Sequence, residues 1–169
     1  TSAQIYCGLV FLESLSKFPS LVDNSLYVPE CYKLFGKLIK DHLQDSTASK
    51  SSDNVDSPDA LLVMVLNILK TEVGKMGDIR RNFFQTLAQL IESTRSIELL
   101  KCIFEVCKNW ILNQQESFPS IKEKLSIMLK LLTTFEILGD KILSNNFYNF
   151  VAEIYEDPSF ARSELTVRL

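Results

Sequence analysis

The single histidine is the first residue to consider for chemistry in this chain of 169 residues. His42 lies within residues 40–43, Lys-Asp-His-Leu, and the sequence offers no second histidine to complete a metal or proton-transfer cluster. A solitary histidine at the end of a helix is typical of a surface residue that interacts favourably with the negative helix terminus. We therefore interpret His42 as an exposed residue without a catalytic role.

Acidic residues are frequent in the second half of the chain, and paired carboxylates can serve as a general acid and base. That chemistry requires two of them in an apolar cleft, where their pKa values separate. Nothing in the spacing predicts such a pair, so we assign these residues to solvated helix faces: Glu123, Glu136, Asp140, Glu153, Glu156 and Asp157. The sequence also lacks the phosphate-binding, dinucleotide-binding, zinc-protease and nucleophile-elbow motifs. We expect no enzymatic activity, and we assign no catalytic, cofactor-binding or metal-ligating residue.

The four cysteines are each part of an apolar helical pattern: Cys7, Cys31, Cys102 and Cys107. A zinc site requires closer pairs or nearby histidines, and a spacing of five directs Cys102 and Cys107 to different sides of a helix. We therefore expect buried free thiols in a reducing compartment.

The charge of the chain does not favour nucleic acid as a partner. The formal net charge is −3, and the one small basic cluster, Lys75 with Arg80 and Arg81, precedes aromatic residues that fit a helix core stripe. We expect no direct nucleic-acid contact. We also expect no small-molecule substrate and no membrane span, since no apolar run reaches the roughly 18 residues that a span requires.

The elements that position these residues are predicted to be helices throughout. Apolar spacing indicates seven helices and no strand, so the predicted fold is all-α. Helices one and two occupy residues 1–43, with the second beginning near Pro29, and helices three to seven occupy residues 58–157. Residues 158–169 are predicted to start a further element. The predicted stripe of the sixth helix is Ile121, Leu125, Met128, Leu132 and Phe135, and that of the fifth is Ile97, Leu100, Phe104, Cys107 and Ile111.

Residues 44–57 interrupt the helical pattern and are rich in Ser and Asp, with Val55 as the one large apolar residue. Such a composition cannot bury enough apolar surface to offset the entropy of ordering, so we predict a flexible loop. Ser57 is predicted to cap the third helix, ahead of Pro58 at its first position. Ser57-Pro58 is also a possible phosphorylation site, with the unmodified cap as the alternative.

Helices of this length joined by short connections favour antiparallel neighbours. Two helices with their turns occupy ~40 residues, the period of HEAT-like repeats, which predicts an α-solenoid; a compact helical bundle is the alternative. The sequence begins and ends within helical patterns, so we expect a segment of a longer helical-repeat array.

The second half of the chain carries a more specific succession of motifs. A helix with Trp110 near its end is followed by Pro119 to Lys124, reading P-S-I-K-E-K, then by I-Y-E-D at 154–157 and S-E-L-T-V-R-L at 163–169. Over residues 96–169 this order and spacing resembles the helical-repeat region of the TRRAP / transcription-associated protein family. That family comprises kinase-dead relatives of the phosphoinositide 3-kinase-related kinases.

The resemblance implies a non-catalytic scaffold segment of a transcription coactivator subunit in SAGA-type histone acetyltransferase complexes. It implies a nuclear location, and its implied partners are the protein subunits of a large complex and the activation domains of transcription factors. No kinase residue is carried over to this chain. The alternative is a helical-repeat segment of an active phosphoinositide 3-kinase-related kinase or of a transport receptor.

Overall fold

The computed structural model describes residues 2–18, 24–45, 58–70, 72, 76–112, 118–160 and 163–168. Within these ranges the chain forms helices and no strand, so the predicted all-α fold is confirmed. The helices are α1 (Ser2–Ser16), α2 (Asn24–Asp45), α3 (Pro58–Leu69), α4 (Ile79–Ser93), α5 (Ile97–Leu112), α6 (Ile121–Leu138), α7 (Lys141–Glu156) and α8 (Glu164–Arg168), with a short 3₁₀ turn at Pro158–Phe160.

The chain divides into two compact units, Thr1–Ile103 and Phe104–Leu169, and α5 contributes residues to both. In the first unit, α3 packs against both α1 and α2. Because α3 packs against two helices, its buried apolar residues form one broad face of the helix. The buried residues of α3 are Leu61, Leu62, Val65, Leu66, Ile68 and Leu69.

Aromatic contacts join α2 to α4 in the first unit. The ring of Phe83 lies edge-on to Phe35 at 5.1 Å between centroids and to Tyr32 at 6.2 Å. Phe35 and Phe83 are fully buried. Edge-to-face pairs of this kind contribute about 0.5–1.5 kcal/mol beyond the burial of their surface, so Phe83 stabilises the packing of α4 on α2.

Four phenylalanines form the core of the second unit. The ring centroid of Phe104 in α5 lies 5.8 Å from that of Phe135 in α6. It lies 6.1 Å from the ring centroid of Phe147 and 5.7 Å from that of Phe150, both in α7. One side chain thereby holds both helices of the α6–α7 pair. Lys108, one turn along α5, places Nζ 5.5 Å from the Phe104 ring and 5.7 Å from Phe150, which closes this edge of the core.

Local signals in the sequence define both ends of the α6–α7 pair. Ser120 and Glu123 form a reciprocal capping box at the start of α6, and Gly139 ends it in the left-handed conformation with φ of 67°. Asp140 then caps α7, accepting a hydrogen bond from the Leu143 amide at 2.8 Å. A two-residue corner makes the two helices antiparallel neighbours.

Two helix boundaries differ from the sequence prediction. The second helix begins at Asn24, five residues before the predicted start at Pro29, and continues through Asp45. Pro29 lies in the second turn of α2, so the helix lacks one backbone hydrogen bond there, and the buried residues Tyr27 and Val28 hold this turn in place. Gln44 and Asp45 therefore belong to α2 and not to the predicted loop, while residues 46–57 lie outside the described residues and the loop hypothesis there stays a prediction.

The predicted stripe of the sixth helix is wrong in its register. The core-facing residues of α6 are Lys124, Ile127, Met128, Leu131, Thr134 and Phe135. Met128 and Phe135 belong to both registers, whereas Leu125 and Leu132 lie at the flank and are only half-buried. In the fifth helix Ile97 is exposed, because the first buried turn of α5 begins at Leu99 and Leu100.

Candidate protein-interaction surface

His42 occupies a buried position, so the prediction of an exposed histidine is wrong. It continues the core stripe of α2, and 7% of the residue is exposed. Its Nδ1 pairs with Oδ1 of Asp59 in the first turn of α3, which ties the end of α2 to the start of the next helix. Nε2 is buried, and among the described residues it has no hydrogen-bond partner. The His42–Asp59 pair therefore connects two helices, and among the described residues it is not part of a larger cluster of His, Cys, Asp or Glu side chains.

The cysteines divide into three buried thiols and one exposed thiol. Cys31, Cys102 and Cys107 are buried as predicted, but Cys7 is exposed on α1. Burial raises the pKa of Cys31 to about 11 and raises the pKa of Cys107 further, because the thiolate would lose its hydration. These two thiols are held in their unreactive form.

The six carboxylates singled out in the sequence have local roles on helix ends and surfaces. Glu123 and Asp140 cap helices. The Ser159 hydroxyl, and then the Ser159 amide at 2.8 Å, donate to the Asp157 carboxylate and lower the pKa of Asp157. Glu136 accepts a hydrogen bond from the Tyr148 hydroxyl at 3.2 Å, and this bond raises the pKa of Tyr148. The remaining two, Glu153 and Glu156, are exposed on α7.

The basic cluster and Trp110 are the remaining residues that the sequence offered as possible binding residues. Arg80 donates through Nε to the carbonyl of Gly77 at 3.3 Å, and Lys75 of the same basic cluster lies outside the described residues. Trp110 is buried, as a helical tryptophan packed against neighbouring residues.

The described ranges contain no group of three His, Cys, Asp or Glu side chains placed to hold a metal ion. None of the described helices has the length and apolarity that crossing a membrane requires.

The sequence analysis missed a buried lysine. Lys124 lies on the core face of α6 with 3% of its surface exposed, and its Nζ donates to the Ile111 carbonyl at 3.1 Å. That carbonyl is in the last turn of α5, where backbone acceptors lack helical partners and a positive charge is favoured. Lys124 therefore fastens the end of α5 to the start of α6.

Large apolar side chains remain exposed singly at Leu43, Ile97, Leu112 and Val167, and in larger numbers on two other parts of the described chain. On the α6–α7 pair they are Leu129, Ile137, Ile142, Tyr148 and Tyr155, and on α1 and the residues just after it they are Val10, Phe11 and Phe18. Scattered exposed apolar residues are normal, but such residues grouped on one helix face mark a surface that contacts another protein or another helix. The exposed apolar residues of these two parts are therefore candidates for contact with another protein or another helix.

A family model describes the relation of this chain to known proteins. The model of the Tra1 HEAT repeat ring region matches residues 1–169, the whole chain. The chain belongs to the Tra1 HEAT repeat ring family. The resemblance inferred from residues 96–169 is thereby confirmed and extends to the first half.

Individual relatives carry related names. The chain is 39% identical over 142 residues to the SAGA complex/NuA4 acetyltransferase complex subunit TRA1 of Saccharomyces cerevisiae, and 35% identical over 145 residues to the subunit of the same name in Schizosaccharomyces pombe; each match covers 81% of this chain. It is 27% identical over 176 residues, covering 99% of this chain, to the human transformation/transcription domain-associated protein. The chain spans about 4% of the length of these relatives. No solved structure shows a significant match to it.

Proposed function

We propose that this chain is a non-catalytic scaffold segment of a transcription coactivator subunit, acting in the nucleus within SAGA-type histone acetyltransferase complexes. The observation that carries the proposal is the match of the whole chain to the Tra1 HEAT repeat ring. Relatives named as subunits of the SAGA and NuA4 acetyltransferase complexes support the same assignment.

The described geometry supports a role in protein contact. Glu123 and Asp140 cap helices, and His42 pairs with Asp59 across the ends of two helices. Enzymatic activity is not part of the proposal. In this role the segment presents helix surfaces to other subunits and to the activation domains of transcription factors.

The alternative from the sequence was a repeat segment of an active phosphoinositide 3-kinase-related kinase or of a transport receptor. The family model gives it less support, because the matching repeats are those of the Tra1 ring. Helical repeats alone do not separate these proteins, since fold does not determine function.

Affinity purification of the tagged full-length protein from nuclear extract tests the assignment. We expect mass spectrometry to identify subunits of an acetyltransferase complex. Recovery of transport cargo alone, or a protein confined to the cytoplasm, would contradict the proposal.

A pair of variants tests whether this segment itself contributes to the scaffold. Leu131→Asp places a charge in the core of the second unit, whereas Ser126→Asp places the same charge on the exposed side of the same helix. We expect Leu131→Asp to reduce the recovery of subunits relative to Ser126→Asp. Equal recovery from both variants would show that the complex does not depend on this segment.

A further inference from the structure

Polar side chains join α2 to α3 at one end of the contact between these helices. His42, in the last turn of α2, pairs through Nδ1 with Oδ1 of Asp59, in the first turn of α3. The pair lies three residues before the end of α2 at Asp45 and one residue after the start of α3 at Pro58. It therefore closes the base of the connection between the two helices.

A second polar pair joins the same two helices at the opposite end. The hydroxyl of Tyr27, near the start of α2, donates to the carboxylate of Glu72, which lies just beyond the end of α3. Both residues are buried. The Glu72 amide donates to the Leu69 carbonyl at 2.9 Å, which holds Glu72 against the last turn of α3. Burial, and then the negative charge of Glu72, raise the pKa of Tyr27, so its hydroxyl remains a donor at neutral pH.

The two polar pairs bracket the apolar contact of α2 with α3. About 22 Å of helix axis separates Tyr27 from His42. Between them α2 buries Cys31, Phe35 and Leu38, and α2 packs more extensively on α3 than on α4. Because each pair joins the end of one helix to the start of the other, a separation of α2 from α3 would break polar contacts of buried groups. Such contacts cost more to break than those of exposed groups do.

The pairs His42–Asp59 and Tyr27–Glu72 together form what we call the α2–α3 latch. The connection whose base it closes comprises residues 46–57. The entropy cost of closing a loop rises slowly with loop length, so doubling such a connection changes the closure equilibrium by only about threefold. Packing of α1 on α3 and of α2 on α4 also crosses this connection, so the helices before it and after it are interlocked.

We propose that the α2–α3 latch makes the packing of α2 on α3 independent of the peptide connection between them, so that a cut or an insertion between Asp45 and Pro58 does not open the first unit. The inference does not depend on the proposed scaffold role. It gives the fold a position at which the chain is interrupted or extended while the surrounding helices keep their contacts.

Cleavage of the connection in the full-length protein tests the inference. A protease recognition sequence replaces residues 48–54, and hydrogen exchange of the α3 amides is measured by peptide-resolved mass spectrometry before and after the cut. We expect the exchange rates of α3 to rise by less than about threefold, because α3 remains packed against α2. A larger rise after the cut alone would overturn the proposal.

Lengthening the connection provides an independent measurement. Glycine and serine residues inserted after Lys50 double the length of the connection between α2 and α3. We expect the exchange rates of the α3 amides to rise by no more than about threefold, as the slow dependence of loop closure on length requires. A greater increase would show that the short connection, and not the latch, holds the two helices together.

Substitutions in the latch test whether its polar contacts carry this independence. Asp59→Ala together with Tyr27→Phe removes one partner from each pair. In the cut protein we expect this double variant to raise the exchange rates of α3 by about tenfold or more, since buried polar groups lose their contacts. In the uncut protein the connection keeps the helix ends together, so we expect a smaller rise. Should the uncut double variant already lose the protection of α3, the two single variants provide the same comparison.

A matched pair of substitutions outside the latch is the control. Glu98→Ala removes an exposed acidic residue from the first turn of α5, as Asp59→Ala removes one from the first turn of α3. Tyr32→Phe removes a hydroxyl from the same helix as Tyr27→Phe does. We expect the cut control variant to exchange like the cut natural protein. Equal exchange of α3 in the cut latch variant and the cut control variant would contradict a role of the latch.

Discussion

Lys124 is a residue whose charge and burial oppose each other. Its aliphatic stem lies in the core of the second unit, and its ammonium group satisfies the Ile111 carbonyl at the end of α5. Removing a hydrogen-bonding group from a buried pair costs more than the pair contributes, because the remaining partner is left without a donor. The position therefore tolerates lysine and few other side chains.

We expect Lys124→Ala to destabilise the protein by about 2–3 kcal/mol, because it removes both the donor to Ile111 and the packing of the stem. The exposed Lys122 on the same helix is the control, and Lys122→Ala should change the stability by less than ~0.5 kcal/mol. Urea unfolding followed by the fluorescence of the single tryptophan, Trp110, measures both. Equal effects of the two substitutions would contradict a buried role for Lys124.

The stability contributed at Lys124 should depend on pH. Burial lowers the pKa of Lys124 below its ordinary value of 10.5. Between the folded-state pKa and 10.5 the unfolded chain binds more protons than the folded chain, so stability rises with pH across that window. We expect the stability of the natural protein relative to Lys124→Met to increase as the pH approaches 10.5. A difference that is constant with pH would argue that the ammonium carries no burial penalty.

The His42–Asp59 pair should contribute measurably to stability. We expect a double-mutant cycle of His42→Gln and Asp59→Asn at neutral pH to give an interaction energy of about 1 kcal/mol, because the imidazole is buried between two helices. The exposed Lys33–Glu30 pair is the control, with an expected energy of about 0.3 kcal/mol or less. Similar values from both cycles would show that burial does not strengthen the first pair.

At the scale of elements, the sequence predicted the helices well and the faces of some of them less well. For α4, the apolar spacing predicts Ile79, Phe83, Leu87, Leu90 and Ile91 to face inward, and all of them are buried except the half-buried Ile79. For α6, the predicted stripe runs through Leu125 and Leu132, whereas the core face of the helix runs through Lys124 and Leu131. The carbonyl of Ile111 that makes a buried lysine acceptable is contributed by another helix, so spacing within α6 does not reveal it.

His42 is a residue for which the signal was present in the sequence. Cys31, Phe35, Leu38 and His42 follow the spacing i, i+4, i+7 and i+11 of one helix face, and all four are buried. The polar chemistry of histidine suggested a surface position, but Asp59 supplies a partner across the helix pair. The spacing of the apolar residues in α2 therefore predicts the burial of His42 better than the polar character of histidine does.

The corrected register of α6 leads to a graded prediction. We expect the loss of stability to follow the order Leu131→Asp, then Leu125→Asp, then Leu129→Asp, because these positions are buried, half-buried and 65% exposed. A charge at the buried Leu131 should cost several kcal/mol, a large part of a domain's total stability. Thermal unfolding by far-UV circular dichroism measures the series. A larger effect at Leu125 than at Leu131 would restore the register first predicted from the sequence.

At the scale of the whole molecule, the thiols report on folding. We expect an alkylating reagent at neutral pH to modify Cys7 rapidly and the buried thiols Cys31, Cys102 and Cys107 only after the chain unfolds. Burial hides Cys31 and Cys107 from the reagent, and their raised pKa values also lower the fraction of each thiol that is present as the reactive thiolate. Mass spectrometry after brief labelling at increasing urea concentrations measures the opening of each site. Rapid labelling of Cys107 without denaturant would contradict its burial.

The signals at the ends of α6 and α7 have a consequence for how a long chain of this kind is synthesised. Ser120 with Glu123, Gly139 and Asp140 act on residues within a few positions of themselves, and the two helices they delimit are neighbours in sequence. Contacts of such short sequence separation close small loops, which is the topology that folds fastest. We therefore expect the α6–α7 pair to fold while later parts of the polypeptide are still being synthesised. Early folding buries apolar side chains that would otherwise promote aggregation of the emerging chain.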